Sequence, residues 1–234
     1  MENDDKWSNK IRYTVCFLSA AVLLFTLMWL TVVDYFTIVT SSMAPTIQPG
    51  ERVRVVKLFG LRKIRPNDII IFDKPVAASK EELYCKRVLG CPGDRIGAVD
   101  GHCWNDQYLK PVGVIEEQEK LRWMFDGFFR MANSFDVIPF TESDWNIKNW
   151  GPLIVPAKGL TMTLDDLTRE LYRRVIEYET AGTLADSVNE YTFLKDYFFV
   201  VGDNTMSSFD SRYWGFIPEE FIKGIVGGRR FRNK

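Results

Sequence analysis

The chain has 234 residues, 46% hydrophobic and 26% charged, which excludes a disordered or low-complexity protein. Its 30 Lys+Arg stand against 31 Asp+Glu, so no basic field marks it for nucleic acid, and no nucleic-acid partner is expected. Four cysteines without a Cys-x-x-Cys pair and a single histidine, His102, exclude a disulfide scaffold and a Cys/His zinc site, so neither metal nor other cofactor is expected.

Tyr13 to Val33 carries no charge. At about 1.5 Å per residue it spans roughly 31 Å, the depth of a bilayer's hydrocarbon core. Lys6, Lys10 and Arg12 precede it and Asp34 follows it. The positive-inside bias then leaves residues 1–12 in the cytoplasm and puts everything after Asp34 outside. A cleaved signal peptide needs a shorter apolar core ending in small residues. This one ends in Trp29, Leu30 and Val32, and reads as an uncleaved single-pass anchor whose partner is the lipid bilayer.

Downstream, 51–57 alternate charged and apolar residues, the pattern of a half-buried strand. Leu58, Phe59 and Leu61, flanked by Lys57, Arg62 and Lys63, are expected to touch the outer leaflet. A turn at Arg65–Asp68 leads into a strand over Ile69–Phe72. Tyr84–Leu89 is a further strand, and Asp100-Gly101 marks a tight hairpin. The stretch 113–150 mixes charge with Trp123, Phe125, Phe128, Phe129, Trp145 and Trp150 and shows no clear period. Thr163 is expected to cap an amphipathic helix over about Leu164–Glu179, with Leu164, Leu167, Leu171, Val175 and Tyr178 on its apolar face. Tyr191–Val201 reads as a buried strand, and Gly227–Arg232 as a frayed, solvated tail.

Three stretches carry candidate chemistry: Thr40-Ser41-Ser42-Met43-Ala44-Pro45-Thr46, Lys86-Arg87-Val88-Leu89-Gly90-Cys91-Pro92-Gly93-Asp94, and Gly202-Asp203-Asn204 running through Ser207-Ser208-Phe209-Asp210-Ser211-Arg212-Tyr213-Trp214-Gly215. Singly, each reads as a loop, a charged strand edge or a turn. Together, in this order behind an apolar segment, they resemble the boxes of bacterial type I signal peptidases, serine/lysine proteases that remove signal peptides from exported proteins. The resemblance covers about 30–105 and 191–225. It implies a mainly antiparallel β catalytic core over 34–105 and 191–234. The remaining 106–190 is then an inserted α/β accessory region, and the catalytic part lies on the periplasmic side of the inner membrane.

The resemblance also implies residue roles. Ser42 is the nucleophile and Lys86 the general base. Thr40 matches an oxyanion-hole hydroxyl, Ser208 the serine that orients the lysine, and Asp210 with Arg212 a supporting ion pair. Ile38, Met43, Ile47, Tyr84 and Cys85 are the expected walls of the pocket that reads small substrate residues next to the cleaved bond of a signal peptide. Thr205 replaces an arginine of the family box, and Ser207 stands where asparagine is common, so two adjacent serines compete for the lysine. Cys91 and Cys103 replace apolar residues, and a disulfide or two separate thiols both remain open.

The chemistry is self-consistent. A serine hydroxyl needs an adjacent base. At a reference pKa of about 10.4, roughly one lysine in 2,500 is neutral at pH 7, so Lys86 needs burial to serve. Its neighbours Tyr84, Cys85 and Val88 supply apolar cover, and Glu81 and Glu82 are the nearest acids. Two other readings fit the sequence less well. A self-cleaving repressor-type protease needs a soluble DNA-binding module in place of the anchor. A non-catalytic envelope scaffold has no use for Ser42, Lys86, Ser208 and Asp210 in four matching contexts.

Overall fold

A computed structural model describes residues 2–57, 62–73, 83–123, 145–185 and 187–232, without the side chains of 2–9, 11, 27–31 and 228–232. The expected membrane-touching residues Leu58, Phe59 and Leu61 lie outside it, as do Phe125, Phe128 and Phe129. Helix α1 (Glu2–Val32) passes directly into β1 (Val33–Thr37), and its last carbonyl accepts from Lys57 N at 2.8 Å. Among the described residues no helix is long and apolar enough to cross a membrane, so the expected transmembrane helix is not carried by the structure itself.

The strands then follow the sequence patterns closely. β2 (Glu51–Val56) buries Val53 and Val55 and turns its charged residues outward. β3 (Ile69–Asp73) and β4 (Leu83–Gly90) run antiparallel, with Ile70 opposite Lys86. The hairpin at Asp100-Gly101 joins β5 (Arg95–Val99) to β6 (His102–Asn105). Helix α2 (Ile115–Arg122), which the sequence reading does not anticipate, is followed by β7 (Trp150–Ile154), and β7 pairs with β5.

After β8 (Thr161–Thr163), α3 occupies Asp166–Thr180. Its cap is Asp165 rather than Thr163: the Asp165 carboxylate accepts from Thr168 N at 2.8 Å, and the Thr168 hydroxyl accepts from Asp165 N in return. Leu164 therefore packs into the core ahead of the helix, and the buried face is Tyr172, Val175 and Ile176. Tyr178 points out and donates to Glu220.

The expected strand over Tyr191–Val201 is two strands, β9 (Glu190–Thr192) and β10 (Tyr197–Val201). The Glu179 carboxylate accepts from Leu194 N at 2.8 Å and Lys195 N at 2.9 Å, and this bends the chain between them. The short helix α4 (Ser211–Trp214), β11 (Ile217–Pro218) and β12 (Ile222–Arg232) complete the chain. The frayed tail is thus corrected: 222–232 pairs with β2 on one side and β3 on the other. Backbone ladders decide this, and the sparse apolar residues of the segment do not announce it.

The main sheet is antiparallel in the order β1-β2-β12-β3-β4-β10-β11; β6-β5-β7 and β8-β9 form two smaller sheets. Every residue of β10 is buried, because Tyr197, Phe199 and Val201 face one core with α3 and β5, while Phe198 and Val200 face another with β3 and β4. Cys91 packs at the second of these cores and Cys103 at the first, so they do not meet and all four cysteines are free.

Gly97 marks the tightest part of the small sheet. A Cβ there would lie 2.5 Å from Trp104 Cζ2 and 2.7 Å from the Trp150 carbonyl. Backbone on one side and a packed indole on the other leave little room to yield. Gly97→Ala should therefore lower the unfolding free energy by about 1–3 kcal/mol, read as a reduced urea midpoint at unchanged slope.

Candidate active site

Ser42 sits in a single 3-10 turn, Ser41–Met43, just beyond β1. Two side chains hold the turn's shape from inside the protein: Met43 and Ile47 are completely buried with Val53, Val55 and Ile71. The backbone holds it from the other side. Asn204 N donates to Ser42 O at 3.0 Å, and Asn204 Nδ2 donates to Ser41 O at 3.2 Å.

Lys86 projects from β4 into the same space. Alternation along the strand puts Tyr84 and Lys86 on one face, with the Lys86 amine 5.9 Å from the Tyr84 ring centre. Lys86 is 3% exposed and Ser42 7%, and the Lys86 amine donates to Ser42 Oγ at 2.6 Å. Burial is the main influence on that amine and lowers its pKa from the ordinary lysine value. The nearby Asp210 carboxylate opposes the shift, and the Arg212 guanidinium reinforces it. His102 is half-buried at the β5–β6 hairpin and lies outside the cleft lining.

Asp210 and Arg212 form a buried two-point ion pair at 2.8 and 2.7 Å, with Gly202 N also donating to Asp210 at 2.9 Å. Burial raises the Asp210 pKa, but Arg212 outweighs it and holds the carboxyl below its usual range. Next door, Arg87 grips Asp203 through two nitrogens at 2.6 and 2.5 Å and reaches the Asn67 carbonyl at 2.9 Å. These braces place the turn after β10 against both Ser42 and Lys86. The Gly-Asp-Asn box is visible in sequence as a motif; that its asparagine clamps the serine turn and its aspartate locks Arg87 emerges only here.

Gly202 lies where the segments converge. A Cβ on it would meet Ser208 Oγ at 2.1 Å and the Ser42 carbonyl at 2.6 Å. The two competing serines separate clearly: Ser208 is 6% exposed, while Ser207 faces the cleft. Ser208 Oγ is buried and has no hydrogen-bond partner among the described residues. The Thr40 hydroxyl is hydrogen-bonded to Ser42 Oγ at 3.2 Å.

A cleft of about 570 Å³ opens over the Ser42–Lys86 pair. Of the expected pocket residues, Ile38, Tyr84 and Cys85 line it, and burial pushes the Cys85 thiol up to about 12. Met43 and Ile47 do not; they are core residues beneath the serine turn. Phe36, Val39, Ile71, Leu83, Ser207 and Phe209 line it without having been anticipated. The segments 36–40 and 83–86 adjoin the motifs in sequence, but Phe209 carries no signal beyond an unconstrained position within its box. No group of acidic, histidine or cysteine side chains able to hold a metal occurs among the described residues.

The arrangement is a hydroxyl held against a dry amine, beside a groove open to an extended chain. Comparison with known proteins gives the family. The family described as Signal peptidase, peptidase S26 matches residues 11–231. A Signal peptidase I of Bacillus caldolyticus is 31% identical over 198 residues, covering 82% of this chain and 74% of its own length. A Signal peptidase I of Buchnera aphidicola subsp. Baizongia pistaciae is 26% identical over 219 residues, covering 82% and 67%. The crystal structure of a signal peptidase I from Enterococcus faecalis aligns with 72% of this chain and 100% of that one, at 19% identity and a TM-score of 0.36. The match runs from the first helix into the last strand, and the protein belongs to the signal peptidases of peptidase family S26.

Proposed function

We propose that this signal peptidase cleaves through a Ser42–Lys86 dyad, as a single-pass enzyme held at the outer face of the bacterial inner membrane. The 2.6 Å contact between the two buried groups carries the reading. Signal-peptide removal is peptide-bond hydrolysis, and the Ser42–Lys86 contact supports its first step. Neutral Lys86 takes the Ser42 proton as Oγ attacks the scissile carbonyl. The Ser42 amide and the Thr40 hydroxyl face the developing oxyanion, a contribution of about 2.7–4 kcal/mol per donor. Lys86 then protonates the leaving amine, and a water releases the acyl group from Ser42. The buried, unpartnered Ser208 hydroxyl is available to steady the lysine amine. Asp210 and Arg212 support the site as an ion pair in which Arg212 offsets part of the pull of Asp210 on Lys86.

The substrate lies extended between the 36–40 wall and the start of β4, where main-chain pairing supplies affinity. Ile38, Tyr84 and Cys85 leave room for small side chains beside the cleaved bond. Membrane anchorage is supported by the uncharged stretch Tyr13–Val33 and by helix α1, which exposes Phe17, Leu18, Val22, Leu23, Leu24 and Phe25, side chains that lipid would cover.

Four outcomes are expected. Ser42→Ala should fold normally and lose about 10³-fold or more in preprotein cleavage, measured by initial rates in detergent. The wild-type rate should rise with pH through the lowered lysine pKa, because only the deprotonated amine accepts the serine proton. Lys86→Arg keeps a positive charge that cannot leave, so it should be as inactive as Lys86→Ala from about pH 6 to 10, whereas His102→Ala keeps most of its rate. Gly202→Ala pushes Ser208 and the Ser42 backbone apart; kcat should fall by about 10²-fold, with far-ultraviolet circular dichroism unchanged.

A further inference from the structure

Phe209 is the one aromatic side chain in the Asp203–Arg212 segment, and the segment leaves it no choice of direction. Ser208 and Asp210 both have extended backbone, with φ of −119° and −147°. Both are buried, Asp210 completely, and alternation along an extended chain sends the residue between them to the opposite face. The Asp210–Arg212 pair and the Gly202 N–H bond fix the inward side, so the outward side is fixed as well. Phe209 is 52% exposed, and the Tyr213 ring supports it from behind at 5.2 Å between centres and 34° between planes. It lines the same cleft as Ser42 and Lys86, and Val39 and Leu83 are exposed on the other walls. A braced, half-bare ring over a catalytic pair is apolar surface waiting for a partner.

We propose that Phe209 is a specificity-determining residue of the enzyme. Its ring packs against one large apolar side chain of the substrate, within a few residues of the small side chain at the cleaved bond. The proposal rests on the Ser42–Lys86 reading of the cleft and adds to it a wall that accepts bulk, opposite the narrow one. Contact of this kind is made in the Michaelis complex and the transition state alike, so it acts on KM more than on kcat.

The test uses the full chain in detergent and a series of peptides with alanine at the cleaved bond. Leucine replaces alanine at one position at a time, from four residues before the bond to three after it. Wild type should show one position where leucine raises kcat/KM by roughly tenfold, the range of a single apolar contact. Phe209→Ala should erase that preference through KM while keeping kcat on the all-alanine peptide. Met206→Ala, exposed on the same turn outside the cleft lining, should keep the wild-type profile. A wild-type series without any leucine preference, a Phe209→Ala profile equal to wild type, or equal loss in Met206→Ala overturns the proposal. Should Phe209→Ala lose all activity, Phe209→Leu decides: retained preference supports the contact and a flat profile refutes it. Ser42→Ala in the same assay separates the two ideas, since activity in that variant would defeat the dyad itself, whereas an inactive Ser42→Ala beside an unchanged Phe209→Ala profile defeats only the role of Phe209.

Discussion

The proposed dyad depends on keeping one lysine amine dry. A lysine in water holds its proton at neutral pH and cannot accept another from serine. Lys86 is enclosed by β4, the turn carrying Ser42 and the segment after β10, and burial is the dominant influence on its pKa. Of the charged groups nearby, Asp210 and Asp203 oppose this influence and Arg212 reinforces it. Asp210 alone would favour the ammonium and restore the proton; bound at two points by Arg212, it becomes part of a pair whose charges largely cancel. Removing either partner would leave an uncompensated buried charge, a costlier state than the pair or its absence.

Dryness at one point requires three stretches far apart in the chain to meet closely. The antiparallel sheet does this by placing β4 between β3 and β10, so the strand bearing Lys86 lies beside the strand that leads into Gly202. Direct bonds then finish the alignment: Asn204 to the Ser42 turn, Asp203 to Arg87, and Asp210 to Gly202 N. Each brace joins the segment after β10 to the serine turn, to the lysine strand or to itself. That segment is the common support, and the lack of a side chain at Gly202 is what lets it approach.

The far side of β10 explains why a chain of this size is needed for so small a site. Tyr197, Phe199 and Val201 pack with Tyr172, Val175 and Ile176 of α3 and with Leu153 and Trp150 of β7. Without such cover β10 would show an aromatic face to water. Rings meet there at favourable angles, with Tyr172 stacked on Phe216 at 5.5 Å and Phe199 edge-on to Phe216 at 5.8 Å. The scaffold behind the site is thus an aromatic core, and the site itself is a polar network in front of it.

Much of this was legible in the amino-acid order alone. Alternation marked β2, the apolar run marked β3, and Asp100-Gly101 marked the β5–β6 hairpin, because strand period and turn chemistry are local properties. The three boxes, through their resemblance to the signal peptidase motifs, pointed to Ser42 and Lys86, and the fold brings these two side chains to 2.6 Å. What depends on distant contact was not legible. Met43 and Ile47 adjoin the serine in sequence, yet they anchor its turn in the core and leave the cleft to Phe36, Leu83 and Phe209. The segment 227–232 looks like a tail until β2 supplies its ladder. The adjacent serines 207 and 208 are alike as letters, and only the end of the 3-10 turn, which leaves Ser207 outward and sends the extended Ser208 inward, tells them apart. Local pattern sets which elements form; which face each side chain shows, and to what, is set by the partners that tertiary folding brings.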